Sequence, residues 1–159
     1  TIYNVFSNQG FSLSVEPGRS IVANSGILLT KIIFIKETNN KKFIIVDGAM
    51  NDFIRPTLYN AHHNIEPVNI SDKQIENYDV VGPICETGDY FIKNLKLRKP
   101  EEGQLLSIFS TGAYGAVMSS NYNSRPPAGE IIIIDEKVHV LKKQETLEDQ
   151  IKKENLPIL

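Results

Sequence analysis

Over most of its length this 159-residue sequence predicts a mainly β fold, a sandwich or a small barrel. Runs of β-branched and aromatic residues recur at short spacing, at 32–36, 42–46, 79–84, 104–110 and 130–135. Two pairs of runs are joined by short polar turns, at 38–41 and at Asp135-Glu136, which marks hairpins. Residues 1–30 read differently. They offer one strand, one sharp turn and one helix, as in the last unit of a larger α/β fold.

Taken in order, residues 11–15 alternate apolar and polar and predict a strand. Glu16-Pro17-Gly18-Arg19 predicts a tight turn, with proline and glycine at its centre. Ile21, Val22, Ser25, Leu28 and Leu29 form a stripe at helical spacing, so a helix is expected over 20–31 with Ser20 as its cap. The first hairpin follows, and Asp47-Gly48 stops its second strand. A helical turn is expected near Pro56-Thr57-Leu58, and a strand over 66–70. Residues 90–98 do not choose between helix and strand, while Pro100-Glu101-Glu102-Gly103 is a turn. A short helix is expected from Ala116, a polar loop over 121–129, and the second hairpin next. Residues 146–155 read as a charged helix, capped by Thr146 with Asp149 at the reciprocal position.

The net charge of −2 gives no reason to expect a nucleic-acid partner. The longest apolar runs, such as 131–134, are strand-sized, so no membrane span is expected. The opening Thr1-Ile2-Tyr3-Asn4 has neither a basic nor a long apolar region, so no secretory leader is expected. A single cysteine forms no internal disulfide and no thiolate cage, which makes a reducing, cytoplasmic setting the default. The chain begins without methionine and in mid-pattern, as a fragment or processed form would.

That one cysteine sits in Gly82-Pro83-Ile84-Cys85-Glu86-Thr87-Gly88-Asp89. Pro83 restricts the backbone, and the glycines permit positive φ, so a held bend is expected with a thiol beside a carboxylate. Such a pair is suited to proton transfer. Arg55 and Tyr59, four apart, would share one face of a helical turn and clamp a carboxylate. Arg19 after the turn could add charge at a phosphate. Tyr114 stands between residues 112–113 and Gly115, where glycine lets a backbone approach a ligand. Each motif also has a plain structural reading: an ordinary turn, a surface arginine on a tyrosine, a small buried thiol. His62 and His63 are adjacent and so make a poor metal pair; they read as a solvated or core-edge pair, and no metal site is expected.

The motifs occur together and in one order: Glu16-Pro17-Gly18-Arg19, then Phe53-Ile54-Arg55-Pro56 with Tyr59, then Cys85-Glu86-Thr87-Gly88-Asp89, then Gly112-Ala113-Tyr114. In this the chain resembles the C-terminal part of the diaminopimelate decarboxylases, pyridoxal 5′-phosphate enzymes of the alanine-racemase-like class. The resemblance implies a (β/α)8 barrel followed by a β domain, with residues 1–31 as the remnant of the last barrel unit and 32–159 as the β domain. It implies decarboxylation of meso-diaminopimelate to L-lysine by a full-length parent. No lysine here matches the family's Schiff-base lysine, so this segment alone is expected to be inactive. The resemblance puts Glu16, Pro17, Gly18, Arg19 and Tyr114 at the cofactor, and Arg19, Arg55, Tyr59, Glu86 and Tyr114 at the substrate. It makes Cys85 the proton donor after CO2 leaves. It also implies a homodimer whose cysteine loop reaches the partner's site. Arginines on two segments suit a substrate with a far carboxylate, and Glu86 suits its far ammonium. The alternatives are a decarboxylase of another basic amino acid or a carboxylated polyamine, and a non-catalytic β domain that dimerises or regulates.

Overall fold

The computed structural model describes residues 2–6, 9–70 and 72–155; the extremes of the two expected regions, Thr1 and 156–159, lie outside them. A short helix α1 (Ile2–Phe6) comes first. Six strands then form one sheet, β1 (Ile27–Glu37), β2 (Lys42–Val46), β3 (Ile65–Pro67), β4 (Ile75–Val81), β5 (Tyr90–Arg98) and β6 (Leu105–Phe109), in the order β3-β6-β1-β2-β4-β5. The sheet is barrel-like and nearly closed.

Strand β1 holds this sheet together. Its first half pairs antiparallel with β6, Leu29 opposite Ser107, and its second half with β2, Ile35 opposite Ile44. A register shift between Ile32 and Phe34 turns the strand from one partner to the other. The core lies inside: Ile32, Ile44, Val46, Phe53, Tyr78, Val80, Phe91, Leu106 and Ile108 are all buried. Burying such side chains stabilises the fold by roughly 1.5–3 kcal/mol each.

The hairpin expected at 38–41 forms, with Thr38 N–H donating to Lys41 O at 2.8 Å. The second hairpin, β7 (Glu130–Ile134) and β8 (Lys137–Lys142), turns through Asp135 and Glu136 at φ 49° and 63°, the left-handed pair that a two-residue turn demands. Residues 90–98 resolve as β5. The terminal helix α3 (Leu147–Ile151) carries the capping box expected of Thr146 and Asp149.

Residues 11–31 depart from expectation. No strand forms over 11–15; those residues are exposed and have no ladder partner among the described residues. No helix forms over 20–31 either. Residues 23–25 make one 3-10 turn, and β1 begins at Ile27. The turn falls later than expected, with Ile21 N–H on Gly18 O at 3.1 Å and Ala23 N–H on Arg19 O at 2.9 Å. Strand pairing with β6 overrides the helical spacing of Leu28 and Leu29.

Candidate functional site

Helix α2 (Arg55–Tyr59) is a single turn, with Pro56 where a helix has a backbone N–H to spare. Buried Phe53 anchors its start, and Asn60, at φ 50°, ends it. This places Arg55 deep, at 8% exposure, with its guanidinium 5.3 Å from the centre of the Tyr59 ring and 5.5 Å from that of Tyr114. Both phenols are themselves open to solvent. The Arg55 guanidinium forms no ion pair or hydrogen bond with any described residue, while its backbone carbonyl accepts from Ala61 N–H at 3.4 Å.

The other tyrosine comes from the loop after β6. Ser110, at φ 59°, turns the chain out of the sheet, and Tyr114, at φ 63°, holds a left-handed conformation that a bulky residue rarely takes. Gly112 is glycine for a different reason from the one expected. Its close approach is to this chain's own backbone: an added Cβ would overlap the Val22 carbonyl oxygen. Gly112 N–H donates to Ala23 O at 3.0 Å, Thr111 N–H to Gly26 O at 3.0 Å, and Ser110 Oγ to Asn24 Oδ1 at 2.8 Å.

That docking puts Arg19 and Arg55 on the walls of one cavity. Its volume is about 410 Å3, with Ser20, Asn24, His62, His63, Ser110 and Ala113 among its other walls. No acidic side chain lines it, so the cavity carries uncompensated positive charge suited to an anionic ligand. Glu16, Pro17 and Gly18 are exposed in the segment ahead of it and do not line it.

Cys85 and Glu86 lie elsewhere in this chain. Both are exposed and neither lines the cavity. Their loop is held from beneath by Asp89, a residue to which the sequence reading gave no separate role. The Asp89 carboxylate is buried and accepts Ile84 N–H and Met50 N–H, each at 2.7 Å. Burial raises its pKa above the usual carboxylate range, although both backbone donors pull the other way. Gly82 has no Cβ because one would run into this carboxylate. Gly88 has none because Thr57 of α2 packs there, and Thr57 donates its hydroxyl to Gly88 O. Neither glycine has positive φ, so tight packing, not the left-handed conformation, explains both. Glu86 folds back to accept Gly88 N–H at 3.3 Å. Through Thr57 the cysteine loop and the Arg55 helix are one packed unit.

The model of a family described as pyridoxal-dependent decarboxylase, C-terminal sheet domain, matches residues 3–112. The chain belongs to the pyridoxal-dependent decarboxylases. Within that family it is similar to the diaminopimelate decarboxylase of Pseudomonas aeruginosa, 49% identical over 91% of this chain and 35% of the relative. Among solved decarboxylase structures, that of the Helicobacter pylori diaminopimelate decarboxylase complexed with L-lysine matches at a TM-score of 0.83 and 44% identity, over 96% of this chain and 38% of that one. A protein of Aquifex aeolicus matches at a TM-score of 0.88 and 41% identity, with the same coverage. The chain thus spans little more than a third of the length of these relatives, as a decarboxylase sheet domain would.

Proposed function

We propose that this chain is the sheet domain of an enzyme that decarboxylates meso-diaminopimelate to L-lysine with pyridoxal 5′-phosphate. The observation that carries the reading is Arg55: a buried guanidinium, framed by two tyrosine rings, sharing a cavity with Arg19 and paired with no described carboxylate. A buried cation without a counter-charge is costly, and an incoming carboxylate removes that cost. The relatives' names and the lysine complex of the Helicobacter pylori relative support the same substrate class.

The residues present fit the cofactor in chemistry. Two arginines, serine hydroxyls and no acid in the cavity suit a phosphate and carboxylates together. Pyridoxal phosphate, when bound, is an electron sink for the pair of electrons left on carbon as CO2 departs. Arg19, Tyr114 and the 16–18 backbone would line the cofactor, with Glu16 at its ring nitrogen. Arg19, Arg55 and Tyr59 would hold the far carboxylate and orient the substrate. Glu86 would take the far ammonium. Cys85 would pass its Sγ–H proton to the carbon that lost CO2, and the thiolate would regain a proton from solvent. Since Cys85 is exposed and apart from the Arg55 cavity in one chain, a homodimer with a shared site accounts for both. The segment ahead of β1 is read as the end of a barrel unit, whereas 27–31 belong to the sheet through their pairing with β6, and a cytoplasmic, lysine-making role is proposed from the substrate.

In the full-length protein, Arg55→Ala is expected to raise KM for meso-diaminopimelate by about 10–100-fold, the worth of a lost charge-assisted bond. It should leave decarboxylation of a mono-carboxylate such as ornithine no worse. Equal losses on both substrates, or no lysine formed by the wild type, would refute the assignment.

A further inference from the structure

Two groups of opposite hydrogen-bonding sense line the same cavity. Arg55 offers several N–H donors and uses none of them on a described residue. His63 is buried, at 7% exposure, and its Nδ1 lies 2.9 Å from Phe109 O. A carbonyl only accepts, so Nδ1 carries the proton and Nε2 carries the lone pair. Nε2 is buried and has no donor among the described residues. The ring meets Phe53 edge-on, centroids 4.6 Å apart at 81°, which holds it in this orientation. The charges that reach it are Arg55, His62 and Arg19, all cationic when charged; none is an acid.

We propose that His63 is a positioning residue for Arg55: its Nε2 lone pair accepts one guanidinium N–H when a carboxylate occupies the cavity, turning the opposite edge of the guanidinium toward that carboxylate. The inference rests on the carboxylate-site reading above. The tyrosine rings sit 5.3 and 5.5 Å from the Arg55 guanidinium carbon, a cation–π contact that does not fix rotation within the guanidinium plane. A single in-plane acceptor fixes that rotation. A guanidinium has donors enough for one imidazole and a bidentate carboxylate together. The same bond supplies the donor that the buried Nε2 lacks, so both groups gain from it.

The test uses the full-length protein with its cofactor, labelled with 15N-histidine, and reads long-range 1H–15N correlations. Without ligand, His63 should show a protonated Nδ1 and a bare Nε2. Adding glutarate, a dicarboxylate with no amino group, should move the Nε2 resonance toward its hydrogen-bonded value and leave Nδ1 in place. In Arg55→Gln that response should vanish. His63→Asn keeps an N–H for Phe109 but has no Nε2; it should raise KM for meso-diaminopimelate about tenfold with kcat within about twofold. Should that variant fail to fold, the wild-type spectra decide alone. A proton on Nε2, or glutarate binding and lysine formation with no Nε2 response, would overturn the role of His63 and leave the function standing. Failure to bind either acid would overturn the functional reading and this inference with it.

Discussion

Asp89 lies just past the exposed Cys85-Glu86-Thr87 stretch, its carboxylate enclosed by the backbones of two segments. Truncating it leaves the Ile84 and Met50 N–H groups without acceptors, so Asp89→Ala should destabilise the protein by about 2–4 kcal/mol. Asp89→Asn keeps one acceptor oxygen and should lose about half as much. Urea midpoints of the full-length variants check both; an Asp89→Ala protein as stable as wild type would remove the proposed support of the cysteine loop. His63 gives a pH dependence of definite sign. Burial, first, and the neighbouring cations lower its pKa from 6.5, with the Phe109 carbonyl opposing. The unfolded chain therefore takes up the proton first. The stability that His63 contributes is complete above pH 6.5 and is lost as pH falls through the lower folded value. His63→Asn should flatten that part of the urea midpoint-against-pH curve; an unchanged slope would count against a neutral, buried imidazole. Cys85, Glu86, Arg55 and Tyr114 are singled out in the sequence by their chemistry and order, and the structure brings Arg55 and Tyr114 together. Asp89 and His63 were not legible in the sequence, since their partners Met50 and Phe109 are 39 and 46 residues away.

At the scale of elements, the turn-forming pairs and the capping box were readable because they depend on neighbours in sequence. The segment 11–31 was misread because its pattern is ambiguous without a partner. Alternation at 11–15 makes a strand only where a neighbouring strand exists, and none of the described ones pairs with it. Helical spacing over 21–29 lost to β6, whose edge offers a full ladder to β1 from Ile27 onward. The docking of 22–26 on Gly112 then becomes the element-level feature that places Arg19 in the cavity. Gly112→Ala forces a methyl against the Val22 carbonyl oxygen. A backbone neighbour cannot swing aside as a side chain can, so the substitution should cost about 1–3 kcal/mol and loosen the 19–26 segment. Binding of pyridoxal phosphate to the full-length variant, followed by absorbance titration, should weaken while the Cys85 loop stays protected from proteolysis. Undiminished cofactor affinity would show that Arg19 does not need this docking.

In the whole molecule, the arginine cavity and the exposed thiol are joined through Thr57 on Gly88, yet Cys85 does not line the cavity of its own chain. The sheet also leaves much apolar surface open. Ile131, Ile133, Val138 and Val140 are all more than 60% exposed on the β7–β8 pair, and no described layer covers them. Both features fit a domain that completes its site and its burial against further protein. The most direct measurement mixes two full-length variants, Cys85→Ala and Arg55→Ala, under conditions that exchange subunits and at meso-diaminopimelate far below the KM of Arg55→Ala, where each variant alone makes little lysine. If each site takes its thiol from one protomer and its guanidinium from the other, mixed dimers regain one intact site, and random 1:1 exchange restores about a quarter of wild-type lysine formation. Activity no higher than the sum of the two separate variants, with exchange verified by mass, would contradict the shared site.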